Sequence, residues 1–306
     1  MFEGRSTRLT HYWSNKFFNS YKKRINEYKP AIIYVDNLLM MQYPLKYKLN
    51  AKIWFYDDES NLFIRENGLR KNLIEKFRNI GLCKFEETSI RASERIFCIT
   101  KEETQHLNYL GFKNVHALPY PVDEKYFYYN WTYPQKGISI LFVGDFAHHP
   151  NKEAARVICE DIYPLLKSNG AKITLVGRNF IRIKKYLKKE ISTFENVEDV
   201  RPFYWGNSIF VTPIFSGGGM RIKILEAAAC GIPIIMTPLA NLGINFEHMK
   251  EAIILNTIAE IVKFIKSSHI SNSTELIKLS KMANQKIKTD FSLEKMKVFY
   301  ASQFSN

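Results

Sequence analysis

Short apolar runs rich in β-branched and aromatic residues alternate with helical patterns along this chain, and the alternation stops once and then restarts. "AIIYVD" (31–36), "KIWFYD" (52–57), "RIFCIT" (95–100) and "NVHALPYP" (114–121) have the length and composition of strands buried on both faces. Helical stretches lie near 65–80 and 101–110. The segment "DEKYFYYNWTYPQKG" (123–137) has no clear period and reads as a linker. From 138 the rhythm resumes with strands at "ISILFVG" (138–144), "KITLVG" (172–177), "SIFVTP" (208–213), "IPIIMTP" (232–238) and "AIILN" (252–256). The intervening pattern predicts helices at 151–168, 220–230, 257–267, 274–288 and 292–303. Strand-helix alternation in each half predicts an α/β chain of two doubly wound domains. A length of 306 residues agrees with two domains.

Such sheets bind ligands at the carboxyl ends of their strands, beside helix N-termini. The stretch that best fits this is "TPIFSGGGMRIKILEAAACGIPII" (212–235). On a helical wheel Ile222, Leu225, Ala229 and Cys230 share a broad apolar arc, and Ile224, Ala227 and Ala228 cover much of the rest. The helix is therefore buried. Glu226 falls on the apolar side, and a buried carboxylate costs several kcal/mol unless it is paired or hydrogen-bonded. One partner is Lys223, three residues back on the same face. Another is a ligand's pair of adjacent hydroxyls, such as those of a ribose. Gly217, Gly218 and Gly219 let backbone N–H groups approach an anion closely. Arg221 and Lys223 in the first turn oppose the helix dipole unless a diphosphate neutralises them. Spacing alone leaves two readings open: a phosphate-and-ribose site, or a structural turn with a salt bridge.

Together, the motifs resemble a known family. "SIFVTPIFSGGGMRIKILEAAACGIPIIMTP" is similar to the donor-site signature of family 4 (group 1) GT-B glycosyltransferases, in the subset reading P-x3-GGGTR-x-K-x-LEA-x-A-x-G-x-P. "ILFVGDFAHHPNKEAARVICEDIYPLL" resembles the F-V-G-x4-x-P-N opening of the same domain, and "FENVEDVRPFYWGNSIFV" its V-x-D-V-R-P segment. "ITKEETQHLNYLGFKNVHALPYPVDEKYF" resembles the end of the family's N-terminal domain and its P-x-x-V-D-x-x-x-F linker. "FSLEKM" matches the start of the terminal helix.

The resemblance implies GT-B architecture: two Rossmann-like domains with the donor cleft between them. It places an N-terminal, acceptor-side domain at 1–122, a linker at 123–137 and a donor-binding domain at 138–290. A terminal helix at 291–306 is expected to cross back to the first domain. The first expected strand is at 31–36, so the N-terminal domain is expected to be incomplete. Residue by residue, the resemblance implies that Glu226 holds the donor ribose. Gly218, Gly219 and Met220 supply backbone donors to the diphosphate, and Arg221 and Lys223 supply its positive charge. Gly144 ends the strand beside the donor, and Val197 and Asp199 frame the base. Many family members carry a Glu-x7-Glu pair, but its first position here is Gly218, so the sugar contact must come from elsewhere. The implied partners are a nucleotide-diphosphate sugar and a glycan or lipid-linked acceptor. The implied chemistry is retaining transfer without a protein nucleophile, in the building of cell-surface polysaccharide or glycoconjugate. Two rival functions stay open, a nucleotide-sugar-binding subunit without turnover and, further off, a nucleotide-sugar epimerase.

The remaining features bound the surroundings of that site. Net charge is +14, which suits an acidic partner. No helix-turn-helix, RNP or zinc pattern points to nucleic acid. Cys83, Cys98, Cys159 and Cys230 are too dispersed for a zinc site and read as buried thiols. No Asp-x-Asp pair of the metal-dependent glycosyltransferase kind occurs, so neither metal nor cofactor is expected. His148 and His149 are neighbours in the loop after 138–144 and make a poor metal pair. Asp36, and Asp57, Asp58 and Glu59, follow strands 31–36 and 52–57 and are possible acceptor-side groups; a helix N-terminus explains the last three equally well. "GRNFIRIKKYLKKE" (177–190) reads as a helix with Phe180, Ile183, Tyr186 and Leu187 on one side and a basic face on the other. The first helix sets Phe17, Phe18, Tyr21, Ile25 and Tyr28 beside Lys16, Lys22, Lys23 and Arg24. Its aromatics read as core, and it is the better candidate for an anionic membrane surface. No run reaches the ~18 uncharged apolar residues needed to span a bilayer. The expected location is cytoplasmic, with peripheral contact to the membrane face.

Overall fold

A computed structural model describes residues 7–48, 52–57, 73–133, 137–217, 219–267 and 273–304. The chain divides into two compact units, Met1–Pro119 and Tyr120–Asn306.

The first unit holds a parallel four-stranded sheet ordered β1-β2-β3-β4, formed by Ile32–Val35, Lys52–Asp57, Arg95–Cys98 and Val115–Ala117. Each strand lies beside the next one in sequence, so among the described residues the sheet has no point where its winding reverses. The apolar runs explain its core. Val35, Phe55, Ile96 and Cys98 are buried against Leu82, Phe85 and Leu107 of helices α4 (Leu73–Arg91) and α5 (Lys101–Tyr109). Among the described residues, α1 (Thr7–His11), α2 (Asn15–Tyr28) and α3 (Gln42–Tyr47) come before α4 in the chain. The helix expected at 65–80 is described from Leu73 onward. Of α2 no residue is buried, contrary to the core role expected for its aromatics. Phe17 and Phe18 instead lie against the buried Tyr43, at ring distances of 4.6 and 6.4 Å, with Phe17 still partly exposed and Tyr28 facing solvent.

The second unit holds a parallel six-stranded sheet ordered β10-β9-β8-β5-β6-β7. Its strands are β5 (Ser139–Asp145), β6 (Lys172–Arg178), β7 (Ser192–Glu195), β8 (Ile209–Thr212), β9 (Ile234–Met236) and β10 (Ile253–Ile254). The chain winds outward from β5 to β7, returns to β8 beside β5, and winds outward the other way. The reversal falls between β5 and β8, which makes their carboxyl ends the topological switch point where doubly wound sheets bind ligands.

Helices connect these strands. α6 (His149–Arg156) runs on through a π-helical stretch, Val157–Ile162, into α7 (Tyr163–Leu166). α8 (Arg201–Gly206) precedes β8, and α9 (Ile222–Cys230) follows it. α10 (Ile258–Lys266), α11 (Ser273–Asp290) and α12 (Leu293–Phe304) complete the unit. Residues 120–133, most of the aperiodic stretch, are held by side chains rather than by a repeating pattern. The Trp131 indole donates to the Asn207 carbonyl at 2.8 Å, and Tyr129 accepts a hydrogen bond from Ser280 at 2.9 Å. Val122 bridges to Ser292 at the start of α12.

The basic stretch 177–190 is not the expected helix. Asn179 has φ 62° and its side chain donates to Asp145 at 2.7 Å, which turns the backbone out of helical geometry. Two 3-10 turns follow, Phe180–Arg182 and Lys184–Tyr186. They bury Phe180 and Ile183, three residues apart, as 3-10 spacing requires. The chain then enters β7, an edge strand absent from the sequence reading.

Candidate functional site

Two connections meet at the switch point of the second sheet: β5 to α6, and β8 to α9. The first ends its strand on Gly144 and Asp145. A β-carbon at Gly144 would lie 3.1 Å from both the Asn151 side chain and the Lys223 ammonium, so this position is held small by two polar side chains converging on it. Asp145 accepts from the Ala147 N–H at 3.0 Å and from Asn179, and Arg178 lies 3.4 Å away. These contacts, led by the Ala147 N–H, hold its carboxyl below the usual range.

The second connection is the glycine turn. Gly217 has φ 87°, a backbone conformation that favours glycine, and a β-carbon there would strike the Pro150 ring at 2.5 Å. The turn therefore seats against the start of α6. Gly218 lies outside the described residues. Gly219 is half-buried and Met220 buried.

Arg221 was expected in the first helical turn. It occupies the N-cap position instead, with φ −96° and ψ 84°. From there its buried guanidinium folds back on the turn, donating to the carbonyls of Gly219 at 2.7 Å and Gly217 at 3.1 Å. It fixes the turn as well as charging it.

Lys223 and Glu226 do not form the ion pair that their spacing allowed. Tyr204 of α8 donates to the Glu226 carboxylate at 3.2 Å. Burial holds the Glu226 carboxyl above its ordinary value, against the lowering effects of Tyr204 and Lys223. Burial also pushes the Tyr204 phenol well up, reinforced by Glu226. Lys223 turns the other way. Its ammonium donates to Asn151 and lies 4.9 Å from the Phe142 ring centre. The residue as a whole is half-buried, but the ammonium is its enclosed end, and this desolvation, with Arg221 nearby, lowers its pKa to about 7.

The structure thus brings Gly144, Gly219, Met220, Arg221, Lys223 and Glu226 to one end of one sheet. Val197 and Asp199 lie in the loop after β7. Asp199 is engaged by the Arg201 guanidinium at 2.7 Å and sits below the usual carboxylate range because of that hydrogen bond. Arg201 in turn lies 3.9 Å from the Tyr126 ring centre. The segment joins the site through α8, whose Tyr204 holds Glu226. Asp36 and Asp57 belong to the other unit, at the carboxyl ends of the neighbouring strands β1 and β2, with Asp36 exposed. Asp58 and Glu59 lie outside the described residues. Sequence reading missed the roles of Asn151 and Tyr204, although both stand inside quoted motifs. It also missed a contact at the rim: Ser216 donates to Glu153 and sits 3.5 Å from His149 Nδ1.

The sequence model described as glycosyl transferases group 1 matches residues 137–266, which contain every element of this switch point. Residues 137–266 are therefore similar to a group 1 glycosyltransferase domain. The chain is also 26% identical over 152 residues to an uncharacterized 44.6 kDa protein in the cps region of Klebsiella pneumoniae. That alignment covers 45% of this chain and only 39% of the relative. Among solved structures, sucrose-phosphate synthase from Thermosynechococcus elongatus aligns with TM-score 0.77 and 13% identity, over 94% of this chain and 76% of that one. HepE from Anabaena, solved in complex with UDP-glucose, aligns with TM-score 0.72 and 11% identity, over 94% and 81%. The fold is that of the GT-B glycosyltransferases. Within residues 137–266, the family match and the switch point coincide.

Proposed function

We propose that the chain is a glycosyltransferase, moving a sugar from a nucleotide-diphosphate sugar to a hydroxyl of a glycan or lipid-linked acceptor. The observation that carries this is the convergence, at the switch point of the matched domain, of a glycine turn, two cations and a buried carboxylate. The turn and the cations suit a diphosphate, and Glu226 suits the two hydroxyls of a ribose. Cleavage of the sugar C1–O bond places negative charge on the leaving diphosphate. Arg221, Lys223 and the backbone N–H groups of Gly219 and Met220 would stabilise that charge in a site already built for it. No protein nucleophile is needed if the leaving phosphate helps deprotonate the acceptor, which gives retention of configuration. The HepE complex with UDP-glucose supports a uridine donor as the first to test. The cps-region relative supports a role in surface polysaccharide.

A lipid-linked acceptor is supported by α2, which pairs exposed Phe17 and Tyr28 with Lys16, Lys22, Lys23 and Arg24. No described helix is long and apolar enough to cross a membrane. Co-sedimentation with phosphatidylglycerol vesicles, lost at high salt and in a Lys22→Glu/Lys23→Glu variant, is the expected result.

The decisive experiment is a thermal-shift screen against nucleotide sugars and their free sugars. A nucleotide sugar should raise Tm and its free sugar should not. No shift with any nucleotide sugar would overturn the reading. A shift without transfer to any acceptor would leave a nucleotide-sugar-binding subunit.

A further inference from the structure

Asn151 stands in the "HPN" of the first connection, and its side chain has only one orientation compatible with its partners. Its Nδ2 donates to the Asp145 carbonyl at 2.9 Å, so its Oδ1 must face the other way, and there it accepts from the Lys223 ammonium. Asn151 is buried, and the turn into α6 that carries it is fixed by Pro150 against Gly217. Gly144 closes the third side, where a β-carbon would push into both Asn151 and Lys223. The Phe142 ring lines the fourth.

The chemistry of this cage is unusual for a lysine. Enclosed ammonium groups are ordinarily balanced by a carboxylate. The charged groups around this one are Arg221, Glu226 and Asp145. Arg221 repels it. Glu226 is held by Tyr204, and Asp145 is held by the Ala147 N–H, Asn179 and Arg178. The direct partner of Lys223 is a neutral amide. A carboxylate in its place would neutralise the cation and set a negative charge beside the glycine turn.

We propose that Asn151 is a positioning residue for the donor diphosphate: it holds the Lys223 amine at the switch point without neutralising it, so that donor binding draws a proton onto Lys223. This rests on the reading that the turn receives the diphosphate. Without an anion, desolvation and Arg221 leave the amine only partly protonated near neutrality. The diphosphate of a nucleotide sugar is fully ionised there and supplies the counter-charge, which makes the ammonium the favoured form.

The test has a ligand-free arm and a ligand arm. In the first, the full chain labelled at lysine is titrated by NMR, with the Lys223 signal assigned by its loss in Lys223→Met. Wild type should titrate near pH 7. Asn151→Asp should raise the midpoint by at least about one pH unit, and Asn151→Leu, which removes the acceptor without adding charge, should lower it. Equal midpoints in all three folded proteins would overturn the positioning role. In the second, calorimetry with UDP-glucose at pH 7.5 is run in two buffers of different ionisation enthalpy. UDP-glucose has no ionisation of its own near this pH, so proton uptake reports the protein. Uptake of roughly half a proton or more is expected in wild type, and no more than about a quarter of a proton in Asn151→Asp, with at least tenfold weaker binding. UDP-glucose binding without proton uptake would overturn the inference while leaving the nucleotide-sugar reading intact. A shifted lysine titration in a protein that binds no nucleotide sugar would do the reverse.

Discussion

α9 and α10 both follow strands of the same sheet, and they start in opposite ways. α10 has what a structural helix needs. Thr257 caps it, accepting from the Glu260 N–H at 3.2 Å, while the Glu260 carboxylate accepts from the Thr257 N–H at 3.1 Å. Ile261, Val262 and Ile265 are buried, and Lys263 and Lys266 lie in the last turn, where the dipole favours them. α9 has no capping side chain and no acid in its first turn. Its cations sit at the end the dipole disfavours, one folded onto the glycine turn and one caged by a neutral amide. The α10 start satisfies its own backbone; on the proposed reading, the α9 start keeps its positive charge for an anion. Departures from local rules cluster where a chain binds something.

The largest effect expected from this contrast is on stability and its dependence on pH. The folded-state pKa of Lys223, about 7, lies below the ordinary 10.5. Between those values the unfolded chain binds a proton that the folded chain does not, so stability rises with pH across that window. The penalty is full below pH 7 and gone above 10.5, on the order of 5 kcal/mol. Lys223→Met should therefore raise Tm more at pH 6 than at pH 10. Thermal melts at the two pH values decide it. An equal change for Lys223→Met at both would remove the caged-cation description.

Arg221→Ala comes next. It removes charge from the diphosphate position and the two hydrogen bonds that brace the turn. Turnover should fall by roughly 100-fold, with much less loss in the affinity for a nucleoside monophosphate. Equal losses in both would argue against a diphosphate role. Glu226→Ala should weaken nucleotide-sugar binding by at least ~1.5 kcal/mol, the scale of a hydrogen bond to a charged group. Circular dichroism should show an intact fold. Unchanged affinity by calorimetry would sink the ribose contact.

The parts of this contrast that could be read from sequence are those with a local signal. The strands stand out because a short apolar run bounded by turn signals suits a sheet buried on both faces, and nine of the ten strands among the described residues were expected within a few residues. The burial of α9 follows from its all-round apolarity. What escaped was long-range or backbone-borne. Glu226 finds its hydrogen bond in Tyr204, 22 residues away on another helix, and Lys223 finds Asn151 at a separation of 72. A wheel shows only neighbours three and four residues apart, so within the chain it offered Glu226 no partner but Lys223. The stretch 177–190 failed for a different reason. Its period suited a helix, but one left-handed asparagine at its start, bonded to Asp145, set another path.

The smallest expected effect is the control that gives the comparison its meaning. Thr257→Ala removes the α10 cap and leaves the Glu260 N–H without its side-chain acceptor, while the Glu260 carboxylate keeps the backbone N–H groups of residues 256 and 257. Loss of such a cap costs about 1 kcal/mol, visible as a lower midpoint in urea with an unchanged slope. Donor affinity should not move, because the cap serves only α10. A matched change at the start of α9, installing a cap by Arg221→Ser, should do the opposite. It relieves the repulsion on Lys223 but takes the guanidinium off the Gly217 and Gly219 carbonyls, so donor affinity should fall. If capping α9 left donor affinity untouched, the bare start of that helix would be an accident of its sequence rather than the feature that distinguishes it from α10.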